Sequence, residues 1–149
     1  MEIDPRGPRF AALITTVVLA VVLVTGSVWL LAAQAVVFAV GTVFGVRYSP
    51  YGLLYRMLAR PRLGPPAELE PEALPRFAQA VGLVFAVIGV VGYAAGLTWL
   101  GTAATAAALA AAFLNAVFSL CLGCEMYVLI RRIWPDRRAL VPANAHKEA

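Results

Sequence analysis

The chain has 149 residues, of which 62% are apolar and only 13% are charged. Soluble domains contain about 45–50% apolar and about 25% charged residues, so this composition argues against a cytosolic enzyme, a disordered tail or a secreted disulfide scaffold. The mean hydropathy of +0.83 indicates that lipid is the main solvent of the chain.

Two long stretches carry no charge, Phe10 to Val46 with 37 residues and Phe77 to Cys124 with 48. A membrane-spanning helix needs about 20 residues, so each stretch holds two spans joined as a hairpin. We therefore predict an all-α membrane protein with four transmembrane helices. The spans are placed near residues 10–25, 27–46, 77–95 and 102–122.

Breakers and aromatic residues place the two hairpin turns. Thr25-Gly26-Ser27 divides the first stretch, and residues 96–101, which include two glycines, divide the second. Trp29 lies two residues after the first of these segments, and Trp99 lies within the second. Because Trp is enriched at membrane interfaces, both turns are expected at a membrane edge.

A short amphipathic segment follows the second span of each half, at residues 51–60 and 125–134. Its aromatic and arginine side chains suit the headgroup layer, which predicts an interfacial helix in each half; the protruding end of a long span is the alternative. Residues 62–75 are rich in Pro and Glu, which is typical of a solvated linker, with a docking loop as the alternative.

The basic residues predict the orientation. They all lie outside the spans, in the N-terminal segment, the central loop and the C-terminal segment, and neither short turn carries a charge. By the positive-inside rule both termini and the central loop are cytoplasmic, in a multi-pass protein of the plasma membrane. The net charge of +4 reflects this sorting, so no nucleic-acid partner is expected. A cleaved signal peptide is the less favoured alternative, since Glu2 and Asp4 dilute the basic start.

The two halves share four ordered blocks, which predicts an internal duplication. The matched pairs are Pro8-Arg9-Phe10 with Pro75-Arg76-Phe77, residues 26–30 with 96–100, Val43-Phe44 with Val117-Phe118, and Pro61 with Pro135. Each unit has two spans, so the units are parallel repeats related by a pseudo-twofold axis along the membrane normal. The predicted single membrane domain comprises repeat 1 (about 5–62), the linker (about 62–75), repeat 2 (about 75–135) and a polar tail (about 136–149). Chance likeness between hydrophobic hairpins is the alternative.

Cys121-Leu122-Gly123-Cys124 contains the only two cysteines and is the main candidate for chemistry. Thiols at this spacing can close a disulfide or hold a persulfide, and a helix start lowers the pKa of a cysteine. Because the cytosol is reducing, a catalytic pair is favoured over a structural disulfide. Buried packing residues are one alternative. A zinc site is another, but with His146 as the only histidine it needs a second protomer, and no cofactor, quinone or haem ligand set is visible.

Three further residues are candidates for supporting roles. The repeat alignment pairs Arg47-Tyr48-Ser49-Pro50 with the cysteine motif, so Arg47 is expected near the thiols, where it would stabilise a thiolate or an anionic sulfur substrate; a snorkelling anchor is the alternative. Asn115 lies about 120° round the fourth helix from Cys121 and is expected to hydrogen-bond a neighbouring helix. Glu125 is either a base, a docking residue or an ordinary interfacial charge.

These features together resemble a family of small bacterial membrane proteins, frequent in actinobacteria, that is classified as a domain of unknown function. The resemblance covers nearly the whole chain. It implies thiol or sulfur chemistry by association with thioredoxin-like or sulfurtransferase proteins, and Tyr48 and Tyr127 as supporting residues. It is carried by Asp4-Pro5-Arg6, Arg47-Tyr48-Ser49-Pro50, Asn115, and Cys121-Leu122-Gly123-Cys124 with Tyr127.

The leading hypothesis is a membrane thiol protein in which Cys121 and Cys124 exchange electrons or sulfane sulfur with a cytoplasmic thioredoxin-like or rhodanese-like partner. Such a protein would be a thiol-disulfide oxidoreductase or a sulfur-transfer accessory protein. A small-solute or sulfur-compound transporter and a non-catalytic assembly subunit are the alternatives. Small-residue pairs such as Gly41-x-x-x-Gly45 and Gly92-x-x-x-Gly96 fit packing within the chain and also a homo-oligomer.

Overall fold

The structure, a computed structural model, describes residues 2–134, so the predicted polar tail and His146 lie outside the described residues. The described chain is helical except for one pair of two-residue strands. In chain order the elements are β1 (Glu2–Ile3), α1 (Arg6–Thr25), α2 (Val28–Val43), a 3-10 turn (Val46–Tyr48), α3 (Pro50–Leu58), α4 (Arg60–Leu63), β2 (Glu70–Pro71), α5 (Ala73–Ala94), α6 (Thr98–Phe118) and α7 (Leu122–Ile133).

The four predicted apolar helices are present as α1, α2, α5 and α6. Helices α1, α5 and α6 have 20, 22 and 21 residues and are long and apolar enough to cross a membrane, whereas α2 is a shorter apolar helix of 16 residues. Helix α2 ends at Val43 rather than at 46. There the Arg76 guanidinium of α5 donates hydrogen bonds to the carbonyls of Thr42 and Val43 at 2.9 and 3.0 Å. Because the helix ends here, these carbonyls have no amide of a following turn to bond, and Arg76 takes its place.

Both hairpin turns are found near their predicted positions. Gly26 is left-handed (φ 63°), and Ser27 caps α2 by accepting a hydrogen bond from the amide of Leu30. Gly96 (φ 76°) makes the second turn. This turn is shorter than predicted, so α6 begins at Thr98 rather than at 102.

The four long helices pack with α1 against α6, α2 against α5, and α5 against α6. Between α5 and α6 the backbones approach closely, since a Cβ on Gly92 would lie 2.6 Å from the amide nitrogen of Gly101. Gly45 and Gly96, the second members of the predicted small-residue pairs, lie beyond the ends of α2 and α5 and have positive φ. The buried core contains Leu19, Val22, Leu31, Phe38, Ala86 and Ala108.

Large apolar side chains cover the outside of the bundle. Leu13, Val17, Val84, Val91 and Val117 are each about half exposed. An apolar surface of this extent is rare on a soluble monomer, but a bilayer would cover it. The described structure is therefore all-α, and its apolar exterior is that expected of a protein in a lipid bilayer.

The polar elements gather at one end of the bundle. Strand β1 pairs antiparallel with β2, with Glu2 opposite Pro71. The Tyr55 hydroxyl of α3 donates to the Asp4 carboxylate at 2.8 Å, which ties α3 to the N-terminus. The predicted linker thus contains the last two residues of α4 and all of β2, and β2 holds it against the N-terminal strand just before α5 begins.

Candidate thiol site

The helix break before Cys121 determines the local geometry of the site. Helix α6 ends at Phe118, whereas the predicted fourth span continued to 122. Ser119 adopts the left-handed conformation (φ 58°), and the amide of Leu120 donates to the carbonyl of Leu114 at 3.3 Å, closing the helix end. The chain then turns, and the cysteines belong to a separate helix, α7.

Cys121 is the N-cap residue of α7, with an extended backbone (φ −85°, ψ 97°). The amide of Glu125 donates to the Cys121 carbonyl at 3.0 Å, which is the first hydrogen bond of this helix. Cys124 therefore lies in the first turn, close to Cys121. Both are free thiols and both are partly buried.

A glycine holds this helix start against α5. A Cβ on Gly123 would lie 2.5 Å from the Cα of Ala78, so only glycine allows this approach. One turn further along α7, the Tyr127 ring packs on Phe77 of α5 with centroids 5.6 Å apart. These contacts place the thiols at the start of α5 rather than out in solvent.

The two thiols differ in acidity. A hydrogen bond from the Cys124 side chain, together with smaller effects of the backbone amides of Cys124 and Gly123, lowers the pKa of Cys121 to about 7 against the opposing effect of burial. The same hydrogen bond, together with burial, raises the pKa of Cys124 well above its usual range. Near neutral pH Cys121 is therefore the thiol of the pair that ionises, and Cys124 stays protonated.

Cys121 opens onto a cavity of about 320 Å³ inside the helix bundle. The cavity is lined by α1, α5, α6 and α7 and by Phe38 of α2, and most of its wall is apolar. The polar side chains in the wall, besides Cys121, are Thr15, Gln79 and Asn115. The nucleophilic end of the thiol pair thus faces a partly open, mainly apolar space.

Three of the predicted supporting residues lie close to the thiols. Asn115 lines the same cavity as Cys121, because the break at Ser119 ends the continuous helix on which the predicted 120° separation was based. Glu125 is exposed in the first turn of α7, and its charge raises the pKa of Cys124. The Tyr127 ring lies between Phe77 and the Arg131 guanidinium, which is 5.8 Å from the ring centroid.

The structure does not bring Arg47 into the Cys121 cavity. Arg47 lines a second cavity of about 190 Å³, beside α1 and α3, and its guanidinium lies 5.4 Å from the centroid of the Tyr48 ring. Ser49, two residues after Arg47, is the N-cap residue of α3. Its side-chain hydroxyl accepts a hydrogen bond from the amide of Gly52 at 3.1 Å. The capping position of α3 is thus held by Ser49, and Arg47 precedes it.

Sequence reasoning missed three residues of the site. Gln79 and Thr15 line the cavity, and Glu70 of β2 lies close enough for its charge to raise the pKa of both cysteines. Gln79 carried a usable signal, because an amide inside an uncharged apolar stretch has to find a polar partner or a cavity. No feature of the local sequence distinguishes Thr15 from its neighbour Thr16. In residues 2–134, no group of three His, Cys, Asp or Glu side chains could hold a metal ion.

Comparison with known proteins gives one finding. The family described as "Domain of unknown function (DUF4395)" matches residues 3–132. No curated protein and no solved structure matches the chain. The match covers most of the chain, including α1 to α6 and all but the last residue of α7. The chain belongs to this family of unknown function.

Proposed function

We propose that the protein is an integral membrane thiol protein that exchanges electrons or sulfane sulfur with a thioredoxin-like or rhodanese-like partner through Cys121 and Cys124. One observation carries the proposal: Cys121 caps α7 with a lowered pKa while the adjacent Cys124 stays protonated. This asymmetry gives the pair an attacking thiolate and a resolving thiol.

The electron-exchange step balances within the two proteins. The Cys121 thiolate attacks the partner disulfide, forming a mixed disulfide and expelling one partner thiolate. Cys124 then loses its proton and attacks Cys121 Sγ, closing the Cys121–Cys124 disulfide and releasing the second partner thiolate. The dithiol loses two electrons, the partner disulfide gains them, and the two thiol protons end on the partner.

Sulfur transfer uses the same two residues. The Cys121 thiolate takes the outer sulfur of a partner persulfide, and the partner keeps a thiolate. Attack by Cys124 on Cys121 Sγ then releases hydrosulfide and leaves the disulfide, so a dithiol reductant has to restore the pair. The two modes therefore differ in product, since only the second releases hydrosulfide.

The placement of the thiols in a cell is part of the proposal. We propose a plasma-membrane protein with four spans in one membrane domain and both termini cytoplasmic, because the arginine-bearing segments gather at one end of the bundle. The cysteines lie at this end, next to the start of α5, where a cytoplasmic partner reaches them.

Two parallel repeats are also proposed, on matching local features in the two halves. Phe10 of α1 packs on Tyr55 of α3 at 5.8 Å, just as Phe77 of α5 packs on Tyr127 of α7 at 5.6 Å. Helix α1 packs on α6 and α2 packs on α5, as a pseudo-twofold axis requires. In this arrangement Cys121, the N-cap residue of α7, corresponds to Ser49, the N-cap residue of α3. The alignment of the two repeats is then shifted by two residues from the one that paired Cys121 with Arg47.

Capture of the partner tests the proposal. In a membrane preparation, Cys124→Ser removes the resolving thiol but keeps the Cys121 thiolate, so a mixed disulfide with a thioredoxin-like or rhodanese-like protein should accumulate. Cys121→Ser is the matched control and should capture much less, because burial and the charges of Glu70 and Glu125 still raise the pKa of the remaining Cys124. Equal capture by both variants, or none by either, contradicts the proposal.

A transporter is the second candidate, and the cavity favours it. A mainly apolar space with three polar side chains, lying within the span region and reaching Cys121, is the kind of site a small solute would occupy. Uptake of a sulfur compound into proteoliposomes distinguishes the candidates. Saturable flux that survives Cys121→Ser supports transport, whereas a thiol exchange protein gives no flux.

A further inference from the structure

The Cys121 cavity contains amide groups that the protein does not use for its own hydrogen bonding. Gln79 of α5 and Asn115 of α6 both line it, and within the described part of the chain neither side-chain amide has a hydrogen-bond partner. No buried side-chain polar atom in that part is left unpartnered, so the polar atoms of these two amides keep accessible surface. Polar groups in this position inside an apolar bundle are expected to serve a ligand.

A third polar group comes from α1. The Tyr51 hydroxyl donates to Gln34 Oε1 at 2.7 Å, and Gln34 Nε2 donates to the Thr15 hydroxyl at 3.4 Å. Thr15 is 4% exposed and lines the cavity. The neighbouring Thr16 uses its hydroxyl hydrogen on the Ala12 carbonyl, whereas the Thr15 hydroxyl in this network is an acceptor only. Its hydrogen is therefore free to be donated to a molecule in the cavity.

These observations restrict the occupant. The wall supplied by Phe38, Phe85 and the alanines of α6 requires a mainly apolar molecule. The donors on α1, α5 and α6 approach from three helices, which suits hydrogen-bond acceptors on more than one side of a ring. The volume of about 320 Å³ lies at the lower end of the range for small-molecule sites, about 300–1,000 Å³, and so fits a single ring system.

We propose that this cavity binds the head group of a lipid-soluble quinone, which accepts the two electrons of the Cys121–Cys124 dithiol. The proposal rests on the thiol exchange proposed above and names its second substrate. A quinone has a flat apolar ring with carbonyl oxygens at opposite ends, which can accept hydrogen bonds from donors on different helices. It is also a two-electron acceptor, and it reaches the site through the bilayer.

The electron transfer balances. The Cys121 thiolate forms a transient bond from Sγ to a carbonyl carbon of the quinone ring. Cys124 then loses its proton and attacks Cys121 Sγ, which breaks the Sγ–carbon bond, leaves its electron pair on the quinone ring and closes the disulfide. The quinone gains two electrons and two protons, the protons being those that the two thiols lose overall, and leaves as quinol. A partner dithiol then reduces the disulfide and returns the pair to its starting state. The net reaction moves two electrons from a soluble thiol protein to the membrane quinone pool.

Quinone binding is tested separately from electron transfer, in a variant that lacks both thiols. The full chain carrying Cys121→Ser and Cys124→Ser is solubilised in detergent and photolabelled with an azidoquinone, with decylubiquinone as competitor. We expect saturable labelling of α1, α5 or α6 peptides that decylubiquinone suppresses. Absence of saturable, competed labelling at the cavity overturns the quinone proposal whatever the thiols do.

Substitutions in the cavity test the assignment of the donors. Gln79→Met and Asn115→Leu keep the side-chain volume and remove one amide each, so each should weaken quinone affinity by about 3- to 10-fold. Thr16→Val is the matched control, since its hydroxyl bonds within α1 and does not line the cavity, and it should leave the affinity unchanged. Unchanged affinity in both amide variants contradicts the assignment.

The cysteine-containing protein completes the test. Decylubiquinone has no unsubstituted ring carbon to which a thiol could add, so loss of its oxidised absorbance reports electron transfer. One quinone should be reduced for each dithiol lost, and none in Cys121→Ser. Mixed-disulfide exchange without quinone reduction overturns the inference but leaves the thiol function standing. Competed quinone binding without either reaction removes the thiol function and, with it, the electron transfer proposed here.

Discussion

The hydrogen bond between the two cysteines should control the reactivity of Cys121, and substitution of Cys124 tests this directly. Cys124→Ala removes the donor, while Cys124→Ser replaces it with a hydroxyl that can donate to the same thiolate. In both variants Cys121 is the only cysteine, so alkylation reports on that residue alone. The two variants differ in the donor and in little else.

The expected effect follows from the pKa values. With a pKa of about 7, half of Cys121 is thiolate at pH 7, whereas at the ordinary cysteine value of about 8.5 only about 3% is. The thiolate population in Cys124→Ala is therefore about 16-fold smaller. A more basic thiolate is also about 4- to 6-fold more nucleophilic, so the net rate at pH 7 falls by about 3- to 4-fold.

The assay is the rate of iodoacetamide labelling of Cys121 between pH 5.5 and 10, quantified by mass spectrometry in open membrane fragments. Cys124→Ser should show a midpoint near pH 7, and Cys124→Ala a midpoint near 8.5 or above with a higher plateau, so that the two profiles cross. Superimposable profiles would refute the hydrogen-bond argument. A Cys121 that labels only after unfolding would show that the residue is a buried packing residue.

Three other predictions follow from the packing around the site and are read from thermal unfolding in detergent. Gly123→Ala should destabilise the protein by about 1–3 kcal/mol and slow Cys121 labelling, because the added Cβ would collide with α5. Gly7→Ala is the control and should be tolerated, because its Cβ would make an ordinary contact at 3.4 Å. Ser119→Gly should raise the melting temperature and Ser119→Val lower it, since only glycine adopts positive φ without strain; equal melting temperatures would show that this backbone is not strained. Tyr55→Phe should cost about 1–3 kcal/mol at neutral pH through the lost bond to Asp4. Because burial and the hydrogen bond to Asp4 raise the pKa of Tyr55 from its ordinary value of 10.0 to about 12, this contribution should be fully present below pH 10 and be lost progressively between pH 10 and 12. A uniform difference between wild type and Tyr55→Phe up to pH 12.5 would contradict it.

The helical architecture was predictable because its determinants are local. Uncharged runs long enough for two spans, glycines with positive φ at the turns and a Ser cap at α2 all act within a few residues, and the structure has helices where they predict them. The errors lie at helix ends. Helix α2 stops at Val43 because Arg76, distant in sequence, binds its last carbonyls, and no local pattern predicts that contact.

The candidate site was predictable only in part. The spacing of Cys121 and Cys124 and the value of a helix start for thiol acidity are local features, and the structure places Cys121 at such a start. The cavity depends on how four helices pack, so the sequence alone could not predict that Thr15 and Gln79 lie in the same cavity as Cys121. The expected proximity of Arg47 relied on a repeat register, and the structure puts Arg47 beside a different cavity, near α3.

A redox titration of the cysteine pair tests the central claim most directly. The protein in membranes is equilibrated with defined ratios of reduced to oxidised dithiothreitol and glutathione, quenched in acid, and the Cys121–Cys124 disulfide is quantified by mass spectrometry. The account predicts a single two-electron transition between dithiol and intramolecular disulfide, reversible in both directions, with a midpoint within the range of thioredoxin-like proteins. Cysteines that stay reduced at every ratio, or that form only separate glutathione adducts, would contradict it.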